Sequence, residues 1–513
     1  MISVQTIKKD PLGVGTVKNA FLKKLPAALL ALIMTAALLA SCSEGPAVSG
    51  ETTPAESGPA SDTPAAETTA EIPENERDTL GDRRFDGGEY VILSRTLTSY
   101  EFIGDDTTGD LVKTAVAKRN LETEERLGVK LKVVESPGNW GDRAAFLAEV
   151  EKAYKNGAKV YDLVMTHSAY IVNIGLSGYA YNIKNLTAVD LNKKWWCPQY
   201  TENVDIDGKI LSAVGDIGYS LYEYTMCTYF NKDLASSNNI PDVYGLVDSN
   251  EWTYDRMLEI ALGVGEDING NGKADRGDLF GMSMSGHNAR MCATVWDCGI
   301  TEKDADGKHF ITINNEKYIN AYEKLYNSVY GNPNHVLLVS EGADMTKDFV
   351  DDHLLFFTEK LNCAASMREM KADYGIVPFP KYDAEQERYI SSARDAMSAL
   401  AIMGNIADPE MVGCVTEALG MYGWKYITPD YYETTLKYKY MSDPTASRML
   451  DLIRDSLRFD FAMNFTNSIG LIYSVMGDNL LNSVKVISAT LKASSKSWQR
   501  NVDEIYEAYA KLG

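Results

Sequence analysis

A two-lobed α/β protein with doubly wound sheets is the fold class that this sequence predicts, and three observations predict it. Residues 89 to 165 alternate strand and helix patterns in the order β-α-β-α-β, which builds a parallel sheet with right-handed crossovers. The globular part of the chain, from about residue 82 to Gly513, is longer than one hydrophobic core usually supports, so two lobes are expected. Aromatic residues run through all of that part, whereas residues 43–76 contain none.

The first element is a leader. Lys23 and Lys24 precede an uncharged run from Leu25 to Ala40, which closes on Leu39-Ala40-Ser41-Cys42. Basic residues, an apolar run and small residues before a cysteine are the layout of a bacterial secretory signal ending in a lipobox. Residues 1–41 read as signal peptide and Cys42 as the lipidated (palmitate-bearing) N-terminus of a membrane-anchored, extracellular lipoprotein. At about 16 residues the run is short of the roughly 20 that span a bilayer as a helix. A cleaved signal with an incidental cysteine is the alternative. Residues 43–76 follow, with eight acidic residues, no basic one, and many Pro, Thr, Ser, Ala and Gly. Such a composition cannot bury a core, and 42–81 reads as a disordered tether.

The body opens with Glu89-Tyr-Val-Ile-Leu-Ser94, a buried strand, and Gly109 to Leu127, a helix with Leu111, Val112, Ala115, Val116 and Leu127 on its stripe. Val129 to Val134 alternates as a strand, Asp142 to Tyr154 has helical spacing, and Tyr161 to Met165 is a third strand. In doubly wound sheets ligands gather outside the carboxyl ends of the strands. That rule points at Thr96 to Tyr100 and at His167 to Tyr170, and makes Ser168 and Tyr170 candidate ligand contacts.

Charge and cysteine usage narrow the function. The chain carries a net charge of −22, and the leader is basic, so the mature protein is more acidic still. A nucleic-acid partner is excluded, because phosphate binding needs a basic footprint. Beyond Cys42 there are cysteines at 197, 227, 292, 298, 363 and 414. None forms a C-x-x-C pair and the five histidines are scattered, so structural zinc has no support. Cys292 and Cys298 are the nearest pair for a disulfide. Sparse cysteines in a long chain read rather as buried apolar residues.

The sharpest local motif runs from Asp267 to Asp278. Hard Ca²⁺ takes six to eight oxygens, and this spacing offers Asp267, Asn269, Asn271, the Lys273 carbonyl, Asp275 and Asp278, with Gly272 permitting the turn. Asp278 stands where an EF-hand has glutamate, so bidentate closure is not expected. The competing reading is an Asn-Gly turn in an acidic loop with no ion bound.

Motif order then carries a resemblance. Tyr161-Asp162-Leu163-Val164, the stretch Gly175 to Leu186, Asp207-Gly208-Lys209, Tyr229-Phe230-Asn231-Lys232-Asp233-Leu234, Glu251-Trp252-Thr253-Tyr254-Asp255 and Asp373-Tyr374-Gly375-Ile376-Val377-Pro378-Phe379-Pro380-Lys381 together resemble family 1 extracellular solute-binding proteins of ABC importers. The stretch from Thr428-Pro429-Asp430-Tyr431-Tyr432 to Met449-Leu450-Asp451 is similar to a Gram-positive lipoprotein branch of that family. The resemblance implies a two-lobed periplasmic-binding-protein-like (type II) fold, with doubly wound sheets and hinge crossovers. Lobe one would hold 82–222 and 380–432, and lobe two 223–379 and 433–513. The hinges would lie near Tyr222 to Thr225 and Val377 to Lys381. It also implies a monomeric, non-enzymatic carrier that hands a small solute, an oligosaccharide by preference, to ABC permease subunits.

Sugar-binding clefts use flat rings, and this chain has thirty tyrosines and seven tryptophans. Tyr170, Tyr222 and Tyr224 are candidates, with Trp195, Trp196 and Trp424 behind them, and core packing is the competing explanation for any single ring. By the resemblance, Arg394 and Asp395 follow the second crossing and would meet the ligand from lobe one, and Glu359 from lobe two. A salt bridge elsewhere would explain Arg394 and Asp395 equally well. No H-E-x-x-H, Walker A loop, complete G-x-G-x-x-G or G-x-S-x-G is present. The rival reading is a secreted polysaccharide hydrolase, defined by two carboxylates facing each other in space. A third is a surface sensor on the same fold.

Overall fold

The computed structural model describes residues 72–157, 159–340, 343–368, 370–432 and 443–512. The leader, Cys42 and the linker as far as residue 71 lie outside the described residues, as does 433–442.

Twelve strands are named among the described residues: β1 (Gly88–Arg95), β2 (Val129–Ser136), β3 (Leu163–His167), β4 (Met226–Asn231), β5 (Gly265–Glu266), β6 (Leu279–Ser285), β7 (Thr301–Lys303), β8 (His309–Ile311), β9 (Val336–Val339), β10 (Leu354–Lys360), β11 (Tyr374–Val377) and β12 (Ser398–Ile402). One sheet has the order β12-β3-β1-β2. The other has the order β11-β4-β10-β6-β5, with β9 beside β6, and β7 and β8 form a separate hairpin.

The β-α-β-α-β opening forms as its sequence pattern predicts. β1 pairs parallel with β2 from Gly88↔Val129 to Arg95↔Ser136, and parallel with β3 from Ile92↔Leu163. β2 is an edge strand, and its alternation turns Lys130 and Lys132 outward, which blunts that edge. Between β1 and β2 the helix Leu111–Leu127 starts where the Asp110 carboxylate accepts the Lys113 amide at 3.1 Å. It ends on Gly128, whose φ of 68° suits a residue without Cβ. Ala115, Val116 and Leu127 are buried as expected, but Leu111 is half exposed. β3 begins two residues later than the pattern suggests. The Asp162 carboxylate accepts the Val91 amide at 2.8 Å there and holds the entry to the strand.

β12 returns to the first sheet antiparallel to β3, with Ser398 opposite His167. The second sheet takes its strands from residues 226–377. Each sheet is the core of one lobe, and the chain passes between them along paired arms. Thr225 bridges Ala393, the Met226 amide donates to the Ser392 carbonyl at 3.0 Å, and the Arg394 amide to the Tyr224 carbonyl at 2.9 Å. A third segment joins them, where the Ser391 amide meets the Ser456 carbonyl at 3.0 Å and the Arg458 amide meets the Ser391 carbonyl at 2.8 Å.

The outgoing arm coincides with the hinge expected at Tyr222 to Thr225. The return arm does not lie at Val377 to Lys381. That segment is fastened to lobe two by two buried indoles, Trp252 Nε1 donating to the Pro378 carbonyl at 2.9 Å and Trp296 Nε1 to that of Pro380 at 3.0 Å. The crossing is made about twelve residues later, at 391–394.

The C-terminal segment touches both lobes. The helices Phe461–Asn464 and Thr466–Ile469 pack on Ser168–Leu176, whereas Val475–Leu481 packs along Gly286–Val295. Motif order alone places all of 433–513 with lobe two.

Candidate functional site

The carboxyl ends of β1, β2 and β3 and the entry to β12 share one edge of the first sheet, because the first three strands are parallel and the fourth runs against them. That edge presents Arg95 to Tyr100, Gly138 to Arg143, His167 and Ser168, and Arg394 to Met397. In the second sheet β6, β9 and β10 are parallel and end at Ser285, Val339 and Lys360. Both edges adjoin the crossing arms. A cavity of about 350 Å³ lies between the edge of the second sheet and the return arm, lined by Ser285, His287, Asp344, Glu359, Lys360, Asn362 and Arg394 among others. A larger one, of about 740 Å³, is lined by Tyr389, Arg458 and Phe461 with Asn203 and His309, away from the strand ends. The smaller cavity is the one that position in the fold marks as a ligand site.

Arg394 is its centre. Its Nη1 stands 3.9 Å from Glu359 Oε1, which is also 3.8 Å from Lys360 Nζ, and its Nε has no partner. Lys360 Nζ lies 5.4 Å above the Tyr224 ring. Asp395, next in the arm, is partly exposed. Burial pushes its carboxyl up, against the pull of Arg394, Arg290 and Arg95.

On the lobe-one side, Arg95 is wholly buried. Its Nε donates to Thr98 Oγ1 at 2.9 Å and its Nη2 to the Ala396 carbonyl, leaving Nη1 without a partner. Trp140 is half-buried beside His167, 5.7 Å between ring centroids, with the Arg143 guanidinium 4.3 Å from its own ring centroid. Burial pushes His167 well down, helped by Arg95, Arg394 and Arg143, and pushes His287 down to about 3, helped by Arg394, Arg290 and Lys360. At the outgoing arm Glu223 accepts from the Tyr100 hydroxyl and is pushed up to about 7 by burial.

Of the residues singled out in the sequence, Tyr224, Glu359, Arg394 and Asp395 come together at the crossing arms. Ser168 is at the same edge but buried, its Oγ donating to the Asp395 carbonyl at 2.7 Å, so it ties helix Ser168–Leu176 to the return arm. Tyr170 is not a cleft ring. It is fully buried against Phe146 and His167, and its hydroxyl bonds Thr166 Oγ1 at 2.6 Å and donates to the Gly138 carbonyl at 2.5 Å. Tyr222 is buried too, edge-on to Tyr432, its hydroxyl donating to Asp216 at 2.7 Å. Trp195 and Trp196 are core residues, with Trp424 packed on Trp195. Sequence reasoning reached His167 through the rule about strand ends and missed Arg95, Trp140 and Lys360. The same rule was the available signal for them, since all three sit within about five residues of a strand end.

The Asp267 to Asp278 loop is drawn in on its own side chains. Asp267 accepts the amides of Gly270 at 2.7 Å and Gly272 at 2.8 Å, and Asn269 and Asn271 both point their side-chain amides at Asp275, at 3.0 and 2.9 Å. Asp278, buried at 2 % exposure, accepts the Asp275 amide at 3.0 Å. Gly270 and Gly272 take φ of 70° and 73°. The side-chain oxygens of Asn269 and Asn271 accept the Asn271 and Lys273 amides, at 3.0 and 2.7 Å, so the loop is held by its own turn hydrogen bonds. Among the described residues no group of three His, Cys, Asp or Glu is placed to hold a metal by itself, and the predicted calcium set depends on asparagine and carbonyl oxygens. The six cysteines beyond Cys42 are free, five of them buried.

No family model matches the sequence, and no curated protein matches it. Solved structures do match in fold. An ABC substrate-binding protein from Listeria monocytogenes in complex with cycloalternan aligns with a TM-score of 0.53 at 13% identity, covering 81% of this chain and 99% of its own. The galacto-N-biose-/lacto-N-biose I-binding protein of the ABC transporter from Bifidobacterium longum, in complex with lacto-N-biose, aligns at 0.54 and 12%, covering 83% and 99%. UgpB from Mycobacterium tuberculosis, in complex with glycerophosphocholine, aligns at 0.53 and 14%, covering 82% and 99%. The chain therefore has the two-lobed α/β fold of ABC-transporter solute-binding proteins.

Proposed function

We propose that this protein is an extracellular receptor that captures a solute, an oligosaccharide by preference, and delivers it to an ABC importer. The observation that carries the reading is the cleft, where the strand-end edges of two α/β sheets adjoin the paired arms 224–226 and 391–394, with Glu359 and Lys360 of lobe two beside Arg394 of the return arm. A receptor needs this and no more. Binding energy from both lobes closes the arms, and the closed form is what a permease distinguishes. The structural neighbours add to the case, since those bound to cycloalternan and to lacto-N-biose carry saccharides in the same fold. No helix among the described residues is long and apolar enough to cross a membrane, and Cys42 supplies the anchor in this reading. Palmitate labelling of the wild type and not of Cys42→Ala is the corresponding check.

Calcium in the Asp267 to Asp278 loop serves as a structural staple of lobe two. The loop leads into β6, and Arg276 ties it to Asp348 at 2.5 Å.

The hydrolase reading needs two carboxylates placed to act on one bond. Glu359 is shared by two cations, and burial pushes Asp395 up without a partner acid assigned. A thermal-shift screen over sugars, peptides and polyamines separates the readings. A solute at 100 times its Kd adds about 2.7 kcal/mol to native stability. The receptor reading expects a clear shift with at least one sugar, recovered intact after prolonged incubation. Chemically altered sugar overturns the receptor, and a hit confined to peptides or polyamines overturns the ligand class.

A further inference from the structure

With 72 acidic residues against 50 basic ones, a patch taken at random on this chain is acidic. In the cleft the carboxylates are interleaved with cations. Arg95, Arg143 and Arg394 surround His167, Lys360 shares Glu359 with Arg394, and two of these cations carry N–H groups that nothing among the described residues satisfies. Arg95 is 0% exposed at the end of β1, and only Nε and Nη2 of its guanidinium are bonded, to Thr98 and to the Ala396 carbonyl. Ala396 lies two residues beyond Arg394, whose Nε is likewise without a partner. Two guanidinium groups with open N–H therefore flank one short stretch of the return arm. A buried cation calls for an opposite charge with hydrogen bonds in fixed geometry, and guanidinium suits a planar two-oxygen anion best.

The carboxylates nearby do not fill that need. Glu359 is already shared between Lys360 at 3.8 Å and Arg394 at 3.9 Å. Asp344, at the rim, is exposed and takes the Thr346 amide at 2.9 Å. Glu101 accepts the Ser220 amide at 2.8 Å and Glu223 the Tyr100 hydroxyl, and burial pushes the carboxyls of Glu101, Glu223 and Asp395 up. Burial, and after it the neighbouring cations, push His167 and His287 down. Alongside stands Trp140, a partly open indole on the edge that also holds Arg95, backed by Arg143 at 4.3 Å. A flat ring offers one face to the apolar C–H patch of a pyranose.

We propose that the solute is an acidic sugar, its ring stacked on Trp140 and its anionic group, carboxylate or phosphate, held by Arg394 and Arg95. The inference rests on the receptor reading and names the substrate class of that site. The test is calorimetric titration of the intact protein with three probes: digalacturonate, galactose 6-phosphate and the neutral disaccharide galactobiose. At least one anionic probe should bind tenfold or more tighter than galactobiose, at about 1.4 kcal/mol per tenfold. That preference should shrink as salt is raised, and in Arg394→Gln, shown folded by circular dichroism, it should fall toward one. Preference for digalacturonate assigns a uronic acid, and preference for galactose 6-phosphate a sugar phosphate. Equal or tighter binding of galactobiose overturns the inference and leaves the receptor standing. A salt-independent preference in the wild type also overturns it, whatever becomes of the variant. Binding of none of the three, in a protein that binds no other sugar either, brings down the receptor reading itself.

Discussion

Glu417 shows how the surroundings of one carboxyl decide its chemistry. It is 1% exposed within the helix Pro409–Tyr422, accepts Trp196 Nε1 at 2.9 Å through Oε2, and leaves Oε1 unbonded. Burial pushes it up to about 8. The unfolded carboxyl releases its proton near pH 4.3 and the folded one only near 8, so the folded state binds the extra proton in between. The stabilisation linked to that proton is whole below pH 4.3 and is lost as pH rises through 8, at about 1.4 kcal/mol per pH unit from this group. Glu417→Gln keeps an acceptor for Trp196 and removes the titration. Its denaturation midpoint should fall less steeply than that of the wild type between pH 5 and 8, and parallel curves would contradict the assignment. At this scale the sequence was legible in part. Arg394 and Glu359 were placed by motif order, which fixes position relative to strand ends. Tyr170 and Tyr222 were misplaced, because adjacency to a cleft loop does not say which way a ring turns, and both turn inward to bond Gly138 and Asp216.

Among elements, the Asp267 to Asp278 loop is the one whose spacing alone carries chemistry. Its side chains already converge, since Asn269 and Asn271 reach Asp275 and the buried Asp278 closes the turn. An ion bound only by the folded protein raises stability by mass action. The melting temperature should rise with calcium and fall with chelator, and the double change Asp267→Ala with Asp275→Ala should abolish the response. A wild-type melting temperature that is the same in calcium and in chelator would contradict the site. The opening elements were similarly legible, because a period of 2 or 3.6 and a cap such as Asp110 or Gly128 are local signals. The return arm was not. The Val377 to Lys381 stretch has the look of a crossing strand, and what holds it in lobe two is a pair of indoles from Trp252 and Trp296, far away in sequence.

For the whole molecule, the arms at 224–226 and 391–394 are the link between two sheets, and the strand-end edges of both adjoin them. Size and element order were enough to expect two lobes, since both are properties of the chain taken as a whole. Which residues close the cleft depends on contacts between distant segments, and those become visible only in three dimensions. Small-angle scattering of the intact protein, with and without a saturating solute found by thermal shift, tests the central claim most directly. The account predicts a smaller radius of gyration in the bound state, as the two edges close on the solute. Superimposable curves at full occupancy would contradict it.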